Sequence, residues 1–93
     1  MKFEWDEEKY FENLIKHGIR FEDAQNAFAD EYAIETLDLV SDPNEERIVL
    51  LGLAISGILV IVYCERAGDV VRIISARKAN RYEKDVYERR IRF

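Results

Sequence analysis

The chain reads as a small α+β domain: two N-terminal helices, a mostly antiparallel sheet of four to five strands, and a C-terminal helix. Three observations predict this. Helix start and stop signals bracket residues 6–18. Apolar, β-branched runs separated by short turn signals fill residues 32–75. Residues 80–90 return to polar helical sequence, opened by Asn80 and Glu83. Helices segregated to the ends of a run of strands specify α+β rather than alternating α/β architecture.

The elements follow in order. Residues 2–5 suit a short strand. Asp6 is placed to cap the next helix, with Glu7 and Glu8 in the first turn favoured by the helix dipole. Tyr10, Phe11, Leu14 and Ile15 keep helical spacing, and His17-Gly18 supplies the stop. A second short helix is predicted over residues 22–28, burying Phe21, Ala24, Ala27 and Phe28. Its cap is poor, because Arg20 stands where Ser, Thr or Asp would serve. Residues 32–39 alternate loosely as a strand. Ser41-Asp42-Pro43-Asn44-Glu45 then forms a turn. Residues 47–53 and 58–65 are apolar and β-branched, the second run (ILVIVYCE) being the central strand. Ser56-Gly57 and Ala67-Gly68-Asp69 are the hairpin turns, and residues 70–75 the last long strand. Asn80 and Glu83 have capping-box spacing and open a helix to about residue 90.

Size and composition bound the function. Ninety-three residues make one domain, residues 1–93, with a small core that a partner subunit would stabilise. Cys64 is the only cysteine, so an internal disulfide and a zinc site of paired cysteines are both excluded, which suits a reducing cytoplasm. No apolar run is long enough to span a bilayer, and MKFEWDEE has no secretory apolar region. The expectation is a cytoplasmic protein without membrane contact.

Charge is the sharper signal. Residues 1–46 hold 4 Lys/Arg against 14 Asp/Glu, a net −10, whereas residues 47–93 hold 10 against 5, a net +5. The whole is −5, which disfavours non-specific nucleic-acid binding, so any contact with phosphates must be local to the second half. There Arg72, Arg77, Lys78, Arg81 and Lys84 surround one strand end and one helix start. Simple alternation puts Arg72 on one face with Val70 and Ile74. It puts Ser75 and Arg77 on the other with Val71 and Ile73. Arg66, ending the central strand, and Arg47, opening the strand before it, can approach this region, since paired strands lie about 5 Å apart. Guanidinium groups fixed on a sheet suit the charge of a phosphoryl transition state. The competing role is pairing with the carboxylates of the first half.

Other candidates are weaker. His17 is the one side chain that titrates near neutrality unperturbed, and Lys16 precedes it. They can serve as acid–base group and electrostatic neighbour, or simply as cations at a helix end. Tyr63, Tyr82 and Tyr87 can stack on bases or pack in the core. Cys64 reads as a buried small hydrophobe. Nucleotide-binding loops, HExxH and nucleophile elbows are absent.

Four segments, FEWDEEK (3–9), NLIKHGIRFEDA (13–24), ERIVLLG (46–52) and RIISARKANRYE (72–83), resemble the BrnT family of bacterial type II toxins. The resemblance covers almost the whole chain. It implies a RelE-like ribonuclease fold, a toxin that blocks translation by cutting RNA, and a cognate ribbon-helix-helix antitoxin in a complex that represses its own operon. Trp5-Asp6, Lys16-His17-Gly18, Glu22, Arg47, the segment 72–77 and Glu83 occupy matching places. Two departures are Arg20, where the family has Ser or Thr, and Asp30-Glu31, where it often has Asp-Pro.

Together these readings point to a metal-independent endoribonuclease with no cofactor, in which the RNA 2′-hydroxyl attacks the adjacent phosphate. Arg66 and Arg77 are assigned to phosphate stabilisation, His17 to acid–base work and Lys16 to its support. Arg47, Arg72, Lys78 and Arg81 are assigned to RNA binding. The expected partner is the antitoxin, as a heterotetramer that contacts DNA through it. The alternative is a non-catalytic binding subunit of the repressor complex. A third reading is a small domain whose charges only keep it soluble.

Overall fold

A computed structural model describes residues 1–38, 40 and 42–92. The elements are β1 (Lys2–Glu4), α1 (Glu7–His17), α2 (Phe21–Ala24) running into a 3-10 turn (Gln25–Ala29), β2 (Ile34–Asp38), β3 (Arg47–Ala54), β4 (Gly57–Arg66), β5 (Val70–Lys78) and α3 (Arg81–Ile91). Leu39, expected to end the second strand, Ser41 of the turn and Phe93 lie outside the described residues. The five strands form one sheet in the order β1-β5-β4-β3-β2, with β4 in the centre as expected.

Three expectations are corrected. The sheet is mixed, because β1 pairs parallel with β5, Phe3 opposite Val71. No hairpin joins these two strands, so no local signal sets their direction. The second helix is a single α-turn that tightens into the 3-10 turn. Arg20 gives it no side-chain cap. Its buried residues Phe21, Ala24 and Ala27 recur every three positions, the 3-10 repeat rather than the α one. The hairpin turn after β3 falls on Ile55-Ser56, with Gly57 already paired to Ala54.

Helix ends form where the capping residues stand. Asp6 accepts from the Glu8 amide, and Gly18 closes α1 at φ 70°, its N–H reaching the Leu14 carbonyl. Asn80 and Glu83 make a complete capping box on α3.

One sheet face is sealed by α1, α2 and the 3-10 turn. Ile48, Leu50, Leu59, Ile61, Tyr63, Val71, Ile73 and Ala76 meet Ile19, Phe21, Ala24 and Ala27 there. The approach is close: a Cβ on Gly52 would stand 3.1 Å from the Ala27 carbonyl oxygen. Leu51, Val60, Ala79 and Tyr87 form a smaller cluster on the opposite face, beneath α3.

Acidic residues of the first half act as ties. Asp23 accepts the amides of Ile55 (3.0 Å) and Ser56 (3.1 Å) and the Ser56 hydroxyl, fastening α2 to the hairpin. Asp30 accepts the amides of Leu53 (2.8 Å) and Tyr32 (3.0 Å) and the Tyr87 hydroxyl, joining the 3-10 turn to β3 and α3. Asn13, buried on α1, donates to the Ala76 carbonyl (2.9 Å) and accepts the Ala76 amide (3.0 Å), so its side chain completes the β5 edge that β1 leaves uncovered.

Two outcomes follow. Asn13→Ala strands a buried backbone donor and acceptor at Ala76 and should cost about 2–4 kcal/mol. In thermal unfolding that is a drop on the order of 10 °C or more. A change of only a degree or two would refute the role given to this amide. For Asp23 and Asp30, burial pushes the carboxyls up, but the accepted hydrogen bonds outweigh it and hold both below the usual range. A depressed folded pKa means stability present above the unfolded value, about 3.9, and lost as pH falls through the folded one. The melting temperature should therefore drop steeply below about pH 4, and Asp30→Asn should flatten that dependence.

Candidate phosphate-binding face

Along β5 the pairing with β4 steps from Ile73 opposite Tyr63 to Ser75 opposite Val62, leaving Ile74 as an extra residue. This bulge reverses the alternation. Val71, Ile73 and Ala76 all face the helix-covered core. Arg72 sits opposite Cys64 and Arg77 opposite Val60, so both lie on the other face, against the simple alternation that separated them.

That face is graded along the strands. Beneath α3 it is apolar: Leu51, Val60 and Ile34 with Val86 and Tyr82 line a groove of about 260 Å³. Next comes the level of Val49, Val62 and Ser75, which are register partners. Beyond it stand Arg72 and Cys64, with Arg47 at the start of β3, one residue before the inward-facing Ile48 that pairs with Tyr63. Arg66 follows two residues after Cys64 on the same side. Three strands thus bring Arg47, Arg66 and Arg72 to one end of one face.

Each of these arginines is met by a carboxylate. Glu45 lies 3.2 Å from Arg66 Nη2 and 3.5 Å from Arg47 Nε, and it accepts the Cys64 thiol at 3.2 Å. Asp42 lies 3.7 Å from Arg47, and Glu4 bonds Arg72 at 2.7 Å. The thiol hydrogen bond, then the two arginines, hold the Glu45 carboxyl below its usual range, while burial and Glu45 push the Cys64 thiol up. The cysteine is therefore a neutral donor on the floor of the cluster. The Arg66 side chain is half exposed at 50%, Arg72 is 33% and Arg47 20% exposed, so their outer edges remain accessible.

Arg77 stands about 13 Å further along, four ladder positions from Arg72 at roughly 3.3 Å each. Its two terminal nitrogens bond the two Glu83 oxygens at 2.8 Å each, and Glu83 Oε1 also accepts the Asn80 amide. Arg77 thus ties β5 to the capping box of α3. Lys78 is paired with the inward-facing Leu59 and belongs to the other face, and Arg81 is exposed at the first turn of α3.

Lys16 and His17 end α1 and line a groove of about 230 Å³ with Lys9, Glu12, Asn13, Ile74 and Ser75. The bulge residue and its neighbour thus form one wall of the histidine groove. Ser75 bridges the two regions, lining this groove and lying one level from Arg72 on the open face. Of the three tyrosines considered for stacking, Tyr63 and Tyr87 are buried with hydroxyls bonded to Glu35 and Asp30, and Tyr82 is exposed. Among the described residues no group of His, Cys, Asp and Glu is arranged to hold a metal ion, and no helix is long and apolar enough to cross a membrane.

The carboxylates Glu45 and Glu4 were not legible as site residues. Glu45 is two residues from Arg47 in sequence, but its contact with Arg66 depends on the β3–β4 register.

Fold and site together define a small α+β domain with one helix-sealed sheet face and arginines from three strands on the other. A family model described as the ribonuclease toxin, BrnT, of type II toxin–antitoxin systems matches residues 5–83. The chain belongs to the BrnT toxin family. Its fold is similar to that of the Brucella abortus ribonuclease toxin BrnT, known from a crystal structure at 1.1 Å resolution. The TM-score is 0.68 and the identity 24%, over 87% of this chain and 99% of that one. No curated protein matches the sequence.

The bidentate Arg77–Glu83 pair is half-exposed, so screening limits its contribution. A double-mutant cycle of Arg77→Ala and Glu83→Ala, followed by urea unfolding, should return a coupling of about 1 kcal/mol. Additive effects would show that Arg77 does not anchor α3.

Proposed function

We propose that this chain is the toxin of its type II system and acts as a metal-independent endoribonuclease that inhibits translation by cutting RNA. The observation that carries this reading is the meeting of Arg47, Arg66 and Arg72 on one sheet face, beside a groove holding the only histidine. A nucleic-acid backbone laid from the α1–β5 groove across Ser75 reaches the arginines without leaving the protein surface. Lys9 and Lys16 would hold one phosphate at the groove, and Arg72, Arg66 and Arg47 would take the scissile group and its neighbour. Arg77 enters as the anchor of α3, and Arg81 as a peripheral contact. Lys78, on the far face, is left without a direct role.

In the chemistry so proposed, the RNA 2′-oxygen forms a bond to phosphorus as the bond to the 5′-oxygen breaks. The proton of the 2′-hydroxyl passes to a base, and a proton is delivered to the leaving 5′-oxygen. His17 is the group suited to one of these transfers, worth roughly 10²–10⁴-fold. The guanidinium groups neutralise the equatorial oxygens, at roughly 10²–10³-fold for each well-placed donor. The products are a 2′,3′-cyclic phosphate and a free 5′-hydroxyl. The partner is a ribbon-helix-helix antitoxin, in a heterotetramer of RelE-like toxins and antitoxins whose DNA contacts come through the antitoxin.

RNA cleavage in excess EDTA tests the proposal. Wild type should cut and leave cyclic-phosphate ends. Arg66→Ala should cut about 10²-fold more slowly with an unchanged melting temperature. Cleavage that requires added metal would overturn the chemistry. Binding without cyclic ends would leave the chain as a binding subunit.

A further inference from the structure

We infer that Glu45 occupies the place of a substrate phosphate, so that the loop 42–46 is a displaceable acidic plug over the arginine cluster. The inference rests on the RNA-binding reading of that face and concerns how the face is controlled. Glu45 contacts Arg47, Arg66 and the Cys64 thiol at 3.5, 3.2 and 3.2 Å, so two cations and a neutral donor converge on one carboxylate. An anionic oxygen of a phosphodiester makes the same demands on its surroundings.

The loop is suited to leave. Its own ties are short-range: the Glu45 amide reaches the Asp42 carbonyl at a long 3.4 Å, and the Asn44 amide bonds the Asp42 side chain at 2.9 Å. Over the face, the contacts among the described residues are the ion pairs with Arg47 and Arg66 and the Cys64 thiol hydrogen bond. Asp42 repeats the arrangement, lying 3.7 Å from Arg47. The arginines are anchored on strands, whereas Asp42 and Glu45 lie in the connection between β2 and β3, on either side of Pro43. Exchange of the plug for a phosphate therefore leaves the cationic frame in place and moves only the loop.

The plug also has consequences for affinity. RNA must break two ion pairs of Glu45 before the inner edges of Arg47 and Arg66 are available, so the apparent affinity is below that of the open face. Anionic segments that compete weakly with Glu45 are kept out, while an RNA strand that gathers several phosphates at once succeeds.

The test uses the full chain and a single-stranded RNA with 2′-O-methyl groups throughout, which binds but cannot be cut, followed by fluorescence anisotropy at several salt concentrations. Glu45→Gln keeps the shape and removes the charge. It should bind this RNA several-fold tighter, on the order of fivefold. The slope of log K against log salt should steepen by about 0.7, the increment for one further phosphate contact on a single strand. Asp42→Asn should act in the same direction more weakly, and serves if the first variant is unstable. Equal or weaker binding by both variants at every salt concentration would overturn the plug. Arg66→Ala and Arg47→Ala separate this from failure of the parent reading. If both weaken binding but Glu45→Gln does not strengthen it, only the plug is lost. If neither weakens binding, RNA sits elsewhere and both readings fall.

Discussion

One inserted residue in β5 organises this molecule. Without Ile74 as an extra position, a strand with Val71 and Ile73 facing the core would turn Ser75 and Arg77 inward and Ala76 outward. Two guanidinium-bearing positions would then fall on opposite sides of the sheet. With the bulge, the small Ala76 meets the helices and Arg77 joins Arg72 on the open side. The same irregularity lets α1 dock on the edge, where Asn13 bonds both backbone groups of Ala76. It also gives Ile74 and Ser75 to the groove of His17. Core packing, edge protection and site construction thus share one backbone feature.

Charge then divides the work between the two halves of the chain. Carboxylates of the first half are placed at definite donors: Asp23 and Asp30 receive backbone amides, Glu4 and Glu45 receive arginines. Part of the acidity of residues 1–46 therefore goes into ties that close the fold and counter-ions at the arginine end of the open face. Arginine–carboxylate pairs that remain accessible to water are weak enough to be exchanged. Pairs with that property can be structural in the free protein and still yield to a multivalent anion.

Local chemistry was legible in the sequence, and non-local geometry was not. Asp6, Gly18, Asn80 and Glu83 announce helix ends because a cap is satisfied within a few residues. The run ILVIVYCE announces a central strand because it is apolar on both faces. Arg47, Arg66 and Arg72 were named, but their meeting depends on register across three strands. The bulge at Ile74 has no local marker, as Ile-Ile-Ser is ordinary strand sequence. The parallel pairing of β1, the amide of Asn13 and the contact of Glu45 with Arg66 likewise join residues far apart in the chain. The bidentate pairing of Arg77, read as a phosphate ligand, with Glu83, six residues on, was likewise not legible.

In the proposed reading, guanidinium groups from three strands act on one phosphate-bearing strand. The most direct measurement is an NMR titration of the arginine side-chain Nε–H resonances with an uncleavable RNA. Arg47, Arg66 and Arg72 should shift together along one binding curve while Arg77 stays near its free position. Shifts confined to Arg89, Arg90 and Arg92 at the C-terminal end, with the three strand arginines unmoved, would contradict it.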